Sequence, residues 1–247
     1  FCIADAMANG ADSIITCGAV QSNHCRLTAA WSAKEGLDCH LVLEERVDGS
    51  YKKEASGNNF LFELLDVKSI EVVKGGSDMT AEMENKAREI RSKGGTPYII
   101  PGGASNAIGA TGYAVCAEET ITQLNQMRTA VDHIIVPSGS AGTHAGMIAG
   151  MAGVSGNIPI SGINVSRTRD VQEDLVYSLA LETADRLQIR NRIDRDEVVC
   201  YDQYVGPGYS LPTDGMVEAV KLFARTEAVL LDPVYSGKAA AGLIDLV

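Results

Sequence analysis

The chain has 247 residues, 45% of them hydrophobic and 21% charged, with mean hydropathy +0.02 and a pI near 4.8. That length can bury an ample core as one large or two modest domains. A formal net charge of −11 argues against nucleic acid or an anionic membrane as partner, and no apolar run approaches the roughly 18–20 residues of a membrane span.

The chain opens inside FCIADAMANGAD, which reads as the later part of a helix capped by Gly10, with no signal-peptide pattern before it. Strand patterns follow at Ser13–Cys17, Cys39–Leu43, Ser69–Val73 and Pro97–Ile100. They alternate with helix patterns at Asn23–Lys34, Asn58–Leu65 and Ala81–Lys93. Four glycines then cluster in PGGASNAIGATG (Pro101–Gly112). We place a hinge there, giving a small α/β domain over 1–108 and part of a larger α/β domain over 109–247, with a cleft between two lobes. A single long sheet would produce the same rhythm. Beyond it, strand patterns at His133–Pro137, Ile160–Val165, Val198–Tyr201 and Ala228–Leu231 alternate with helix patterns at Ile108–Gln123, Val171–Leu187 and Met216–Arg225. The chain closes on AAAGLIDLV, again mid-helix, so both ends read as cuts through a longer protein. Continuous apolar strands between helices predict the α/β class, with parallel sheets covered by helices.

The six cysteines (Cys2, Cys17, Cys25, Cys39, Cys116, Cys200) form no C-x-x-C and no zinc-spaced cluster with histidine. They predict buried free thiols in a reducing cytoplasm and no metal site. His40 and His133 lie in apolar strands and read as satisfied core or edge residues.

Between Val131 and Met147, VDHIIVPSGSAGTHAGM breaks an apolar strand into a Ser/Gly turn and restarts as a small-residue helix opening at Thr143. Converging backbone N–H groups and a helix N-terminus make such a turn a phosphate cradle, although a plain tight βα turn needs the same glycines. It is neither Walker A, lacking the lysine, nor the GxGxxG dinucleotide loop.

Three further segments carry polar groups at strand ends. In TCGAVQSNHCR (Thr16–Arg26), Gln21, Ser22, Asn23 and His24 open an Ala-rich helix. A cap needs one such residue, and the C-terminal edge of an open α/β sheet is where ligands bind. QYVGPGYSLPT (Gln203–Thr213) is a Gly/Pro-rich loop bearing Tyr204 and Tyr209, and LLDPVYSGKAAAG (Leu230–Gly242) brings Tyr235 to a strand end.

Together the stretches GAxQSNHxR, IPGGxSNxxGxxGY, GSAGTHAG, GYSLP and LDPVYSGKAxAGLID, collinear along the chain, resemble the D-cysteine desulfhydrase, L-cysteate sulfo-lyase and 1-aminocyclopropane-1-carboxylate (ACC) deaminase family. The resemblance implies a pyridoxal-phosphate enzyme of tryptophan-synthase-β-like fold (fold type II), a small amino-acid substrate and a homodimer. Gly139, Ser140, Ala141, Gly142 and Thr143 would hold the cofactor phosphate, and Asn23 the pyridoxal 3′-oxygen. Ser22, Tyr209 and Tyr235 would be catalytic, moving protons beside the substrate, with Gln21, Ser22, Asn23 and His24 binding it. The family's Schiff-base lysine lies in a Gly-Gly-Asn-Lys segment that would fall just upstream of Phe1. The C-terminal glycine-rich segment of the pyridine-nitrogen site has no counterpart here either, and Lys238 reads as structural.

After Tyr235, ACC deaminases carry Glu as the partner of the pyridine nitrogen; this chain carries Ser236. A hydroxyl gives a milder electron sink, sufficient when sulfide or sulfite leaves. The resemblance therefore implies α,β-elimination from a sulfur-bearing amino acid, yielding pyruvate and ammonia. KGGSDMTAEME (Lys74–Glu84) and the surroundings of Cys116 resemble the L-cysteate branch, so D-cysteine and L-cysteate both stay open. ACC deamination and a non-catalytic domain binding pyridoxal phosphate or an amino acid are the alternatives.

Overall fold

The computed structural model describes residues 1–191 and 193–247, which divide into two compact units, Phe1–Ala104 and Ser105–Val247. The boundary therefore falls before the expected residue 108. Asn106 is the reason: its side chain accepts the Gly109 N–H at 2.8 Å, capping the helix that follows, and so belongs with that helix.

The first unit runs α1 (Cys2–Ala8), β1 (Ser13–Ala19), α2 (Asn23–Glu35), β2 (Asp38–Glu45), α3 (Asn58–Leu64), β3 (Ser69–Lys74), α4 (Met79–Ser92), β4 (Pro97–Ile100). Its strands form one parallel sheet in the order β3-β2-β1-β4. Cys17 stands opposite Val42 in the register, and both pack with Ile15 and with Met83 and Ala87 of α4. The alternate residues of β2, Cys39, Leu41 and Leu43, meet Cys25 and Ala29 of α2 and Phe62 of α3 on the other face. Burial on both faces is why these strands read as unbroken apolar runs.

The second unit runs α5 (Ala107–Met127), β5 (Ile134–Ser138), α6 (Gly142–Gly153), β6 (Ile160–Asn164), α7 (Arg169–Arg186), β7 (Val199–Tyr201), α8 (Asp214–Thr226), α9 (Ser236–Leu246). Its sheet is parallel, in the order β5-β6-β7. Helix α6 lies so close to α5 that a Cβ on Gly150 would stand 2.5 Å from the Ala114 carbonyl oxygen, and one on Gly146 would meet that of Ala110. Small residues let two backbones approach this tightly, which buries α6 nearly all round.

One expected strand does not form. Ala228 is left-handed (φ +56°), the Val229 N–H turns back to the Phe223 carbonyl, and Leu230 is 88% exposed. A left-handed residue breaks an extended run, and no described strand pairs with it. His40 and His133 each hydrogen-bond a serine across the sheet, Ser69 and Ser161, at 2.8 Å. No described helix is long and apolar enough to cross a membrane.

Candidate functional site

The turn between β5 and α6 is built on a left-handed residue. Ala141, the N-cap of α6, has φ +76° and offers no capping side chain, so the first helical amides point into the turn. The Gly142 N–H donates to Ser105 Oγ at 3.2 Å, and the Ser140 N–H donates to the Tyr235 hydroxyl at 3.2 Å. A Cβ on Gly142 would lie 2.8 Å from Ser105 Oγ, and one on Gly139 would overlap the Tyr235 hydroxyl. Close approach therefore demands glycine at Gly139, whereas a side chain at Gly142 would have to displace the Ser105 hydroxyl. Arg167 Nη1 clamps the other side, donating to the Gly139 carbonyl at 2.5 Å.

Beneath the turn lies a buried polar chain. Gln172 Nε2 donates to Ser138 Oγ (2.9 Å), which contacts His144 Nδ1 (3.3 Å), while His144 Nε2 faces the Ile160 carbonyl (3.4 Å). A carbonyl only accepts, so the ring proton sits on Nε2 and Nδ1 receives the serine hydroxyl. Burial pushes the His144 pKa down to about 4, keeping the imidazole neutral at the positive end of α6.

Tyr235, the N-cap of α9, meets Tyr209 edge-on, with ring centroids 6.4 Å apart. The next residue, Ser236, donates its hydroxyl to Asp232 Oδ2 at 2.6 Å and accepts the Asp232 N–H at 2.9 Å. Burial raises the Asp232 pKa, but hydrogen bonds from the Ser236 hydroxyl and from the N–H groups of Ser236, Tyr235 and Val234 outweigh it and hold the carboxyl below its ordinary range. With its proton committed to a carboxylate, Ser236 has only a lone pair to offer another partner. Tyr204 donates to Asp245 Oδ2 at 2.7 Å, and its pKa is pushed up to about 12 by burial and that carboxylate.

In the first unit the polar run at the start of α2 is placed as follows. Ser22 is the N-cap, its Oγ accepting the Cys25 N–H at 3.1 Å. Gln21 Oε1 accepts the Asn58 N–H at 2.8 Å, and Asn23 Oδ1 accepts from Asn58 Nδ2 at 2.9 Å, so both are exposed and tied to the start of α3. His24 Nε2 meets Thr16 Oγ1 at 2.7 Å. Because Thr16 donates its own proton to the Ile100 carbonyl (2.8 Å), it accepts from His24, which makes Nδ1 the acceptor nitrogen of that ring. Burial lowers the His24 pKa to about 4, so this ring is neutral near pH 7.

Within the second unit the structure thus gathers Ser140, Gly142, Tyr209 and Tyr235 with Ser105; within the first it gathers Gln21 and Asn23 on Asn58. Sequence reasoning gave no role to Ser105, Asn58, Asp232, His144 or Arg167. Ser105 lay inside the stretch IPGGxSNxxGxxGY, a signal that could have raised it. The partnership of Asp232 with Ser236 follows from a one-turn spacing before a helix start. Thr143 and Ala141 contribute backbone amides to the turn. An uncapped N-terminus on a helix of 12 residues, with the Ser105 and Tyr235 hydroxyls on its neighbouring amides, has the chemistry a phosphate group needs. Among the described residues no group of three or more His, Cys, Asp or Glu could hold a metal ion.

The family model described as pyridoxal-phosphate dependent enzyme matches residues 1–247. The D-cysteine desulfhydrase of Salmonella typhi is 41% identical over 99% of this chain and 74% of its own length. A crystal structure of an ACC deaminase homologue superposes with a TM-score of 0.85 at 33% identity, covering 100% of this chain and 72% of that one. O-ureido-L-serine synthase, at 14% identity and TM-score 0.65, covers 99% of this chain and 72% of its own and shares the fold alone.

Proposed function

The chain belongs to the pyridoxal-phosphate dependent enzyme family, with the tryptophan-synthase-β-like fold, and from that premise we propose that it is a carbon–sulfur lyase that eliminates sulfide from D-cysteine, giving pyruvate and ammonia. The observation that carries this reading is the 41% identity to D-cysteine desulfhydrase over 99% of the chain. The β5–α6 turn supports it, being an anion site with neutral donors in a chain of strongly negative charge.

When bound, pyridoxal phosphate supplies the electron sink that stabilises negative charge at the substrate's Cα. The chain's own residues bind, orient and move protons. The amides of Gly139 to Thr143, with the Ser105 hydroxyl, hold the phosphate. Tyr235 and Tyr209 move the proton that leaves or returns to substrate carbon or sulfur. Arg167 and the neutral His144 chain hold the turn in shape. In the first unit the proposal gives Asn23 the cofactor's 3′-oxygen and Ser22 a proton-transfer role, with Gln21 and His24 binding substrate as neutral groups. Ser236 is the group at the pyridine nitrogen; its proton goes to Asp232 in this structure, and the mild electron sink requires the hydroxyl to turn and donate to the unprotonated nitrogen instead. The reading also includes a homodimer in a reducing cytoplasm, which five buried free thiols fit.

ACC ring opening is the second reading, favoured by the 33% identity to the ACC deaminase homologue. Release of the 2-oxo acid by the cofactor-loaded protein decides: pyruvate from D-cysteine or L-cysteate, and the four-carbon 2-oxobutanoate from ACC. The highest kcat/KM with D-cysteine, with stoichiometric sulfide, is the expected result. ACC as the best substrate would replace the proposal with the second reading; L-cysteate as the best would move it to sulfite release.

A further inference from the structure

Lys238 is fully buried, yet its ammonium pairs with no carboxylate among the described residues. On the first two turns of α9 it extends beneath the loop Gln203–Thr213 and donates to two backbone carbonyls, Val205 at 2.7 Å and Gly208 at 2.8 Å. Burial lowers its pKa, with no opposing influence from a nearby anion. A charge taken from water with only dipoles for company is costly, so a loop that requires it must gain something in return.

The loop needs an external clamp. Gly206 (φ +65°), Gly208 (φ +152°) and Ser210 (φ +64°) all sit at positive φ, and its own backbone bonds are long, Val205 N–H to Asp202 O at 3.2 Å and Leu211 N–H to Gly208 O at 3.3 Å. A chain in such conformations has many competing states unless the surroundings over-determine it. Helix α9 provides that twice from one face. Lys238 holds the carbonyls on both sides of Gly206–Pro207, and seven positions on, Asp245 accepts the Tyr204 hydroxyl at 2.7 Å. Residues seven apart share a helix face. The platform packs closely on the sheet, where a Cβ on Gly242 would stand 2.5 Å from Ile163 Cδ1 of β6. Tyr209 directly follows the second clamped carbonyl, and its ring meets Tyr235 edge-on at 6.4 Å, whose hydroxyl in turn accepts the Ser140 N–H.

We infer that Lys238 is a positioning residue: its two carbonyl bonds order the Gly206–Ser210 turn and thereby fix where the Tyr209 hydroxyl stands for proton transfer. This rests on the lyase reading for its kinetic arm and on geometry alone for its structural one. It predicts dependence on a group that touches neither cofactor nor substrate.

The test compares wild type with Lys238→Met, Tyr209→Phe and the double variant, all loaded with cofactor. Amide hydrogen exchange over residues 203–211 should rise about tenfold or more in Lys238→Met while that of β5 and α6 stays unchanged. Misplacement of a reacting group by about an ångström costs on the order of 10²-fold, so kcat should fall by up to that factor with KM little altered. In the Tyr209→Phe background the same substitution should cost less than about twofold, since its effect runs through Tyr209. Unchanged exchange in the loop, or an equal loss of kcat in both backgrounds, overturns the inference. If Lys238→Met does not fold, Tyr204→Phe releases the other clip without emptying a buried charge, and the same two criteria apply to it. A wild type that releases no 2-oxo acid from any of the three substrates defeats the lyase reading instead, and the exchange measurement still judges the clamp.

Discussion

The Tyr235 hydroxyl accepts the Ser140 backbone N–H at 3.2 Å, so the start of α9 is tied directly to the turn that opens α6. Two segments some 95 residues apart thus meet at one amide. The same tyrosine carries the edge-on contact with Tyr209, which makes it the junction of the anion turn and the tyrosine loop.

Tyr235→Phe keeps the ring and removes this acceptor. The Ser140 N–H then remains for phosphate, so cofactor affinity should change little, whereas turnover should fall about 10²- to 10⁴-fold if the hydroxyl transfers a proton. Absorbance titration with pyridoxal phosphate beside steady-state kinetics checks both parts. A loss of turnover below about tenfold removes Tyr235 from the proton path.

Gly142→Glu should abolish cofactor retention. Its Cβ would press on Ser105 Oγ at 2.8 Å, and its carboxylate would meet an incoming phosphate at the helix start. Equilibrium dialysis against pyridoxal phosphate is the measurement, with circular dichroism to confirm the fold. Retention at wild-type affinity would place the phosphate elsewhere.

Stability should fall with acid. His24 and His144 titrate at about 4 when folded, against 6.5 for a solvated imidazole in the unfolded chain, because burial penalises the imidazolium. Between those values the unfolded chain binds more protons, so stability is full above pH 6.5 and declines as pH drops toward 4. The loss approaches about 3 kcal/mol per histidine at the lower end. Urea unfolding near pH 7 and near pH 5 should show it, and His144→Asn, which takes up no proton, should flatten the dependence. An unchanged slope in that variant would count against a buried neutral His144.

Thiol reagents should divide the cysteines. Burial raises the pKa of Cys25 and Cys200 to about 12 and of Cys39 to about 11, and Cys2 and Cys17 are also buried, while Cys116 is half-buried. The native protein should therefore label promptly at Cys116, and at the other five only after denaturation. Mass mapping of an alkylated sample decides it; fast labelling of Cys25 would show that α2 opens.

The alternation of apolar runs with helix patterns was enough to establish the α/β class, because burial on both faces of a parallel sheet leaves its mark residue by residue in β1 and β2. The cap at Ser22 and the Ser/Gly turn before α6 are equally local and equally readable, whereas the Asn106 cap went unread and moved the domain boundary. The strand expected at Ala228–Leu231 was not, since whether an apolar run becomes a strand depends on a neighbour to pair with, and Ala228 turns left-handed instead. The same limit governs the site. The Ser/Gly turn and the family resemblance of the collinear motifs pointed to Ser140, Tyr209 and Tyr235, but only folding brings the Tyr235 hydroxyl onto the Ser140 amide, commits the Ser236 proton to Asp232, and sets the Lys238 ammonium between two carbonyls of a distant loop. The first and last of these are contacts across tens of residues, fixed by packing rather than periodicity. Hydrogen bonds of that range, and the desolvation that holds His24 and His144 neutral, belong to the tertiary structure alone.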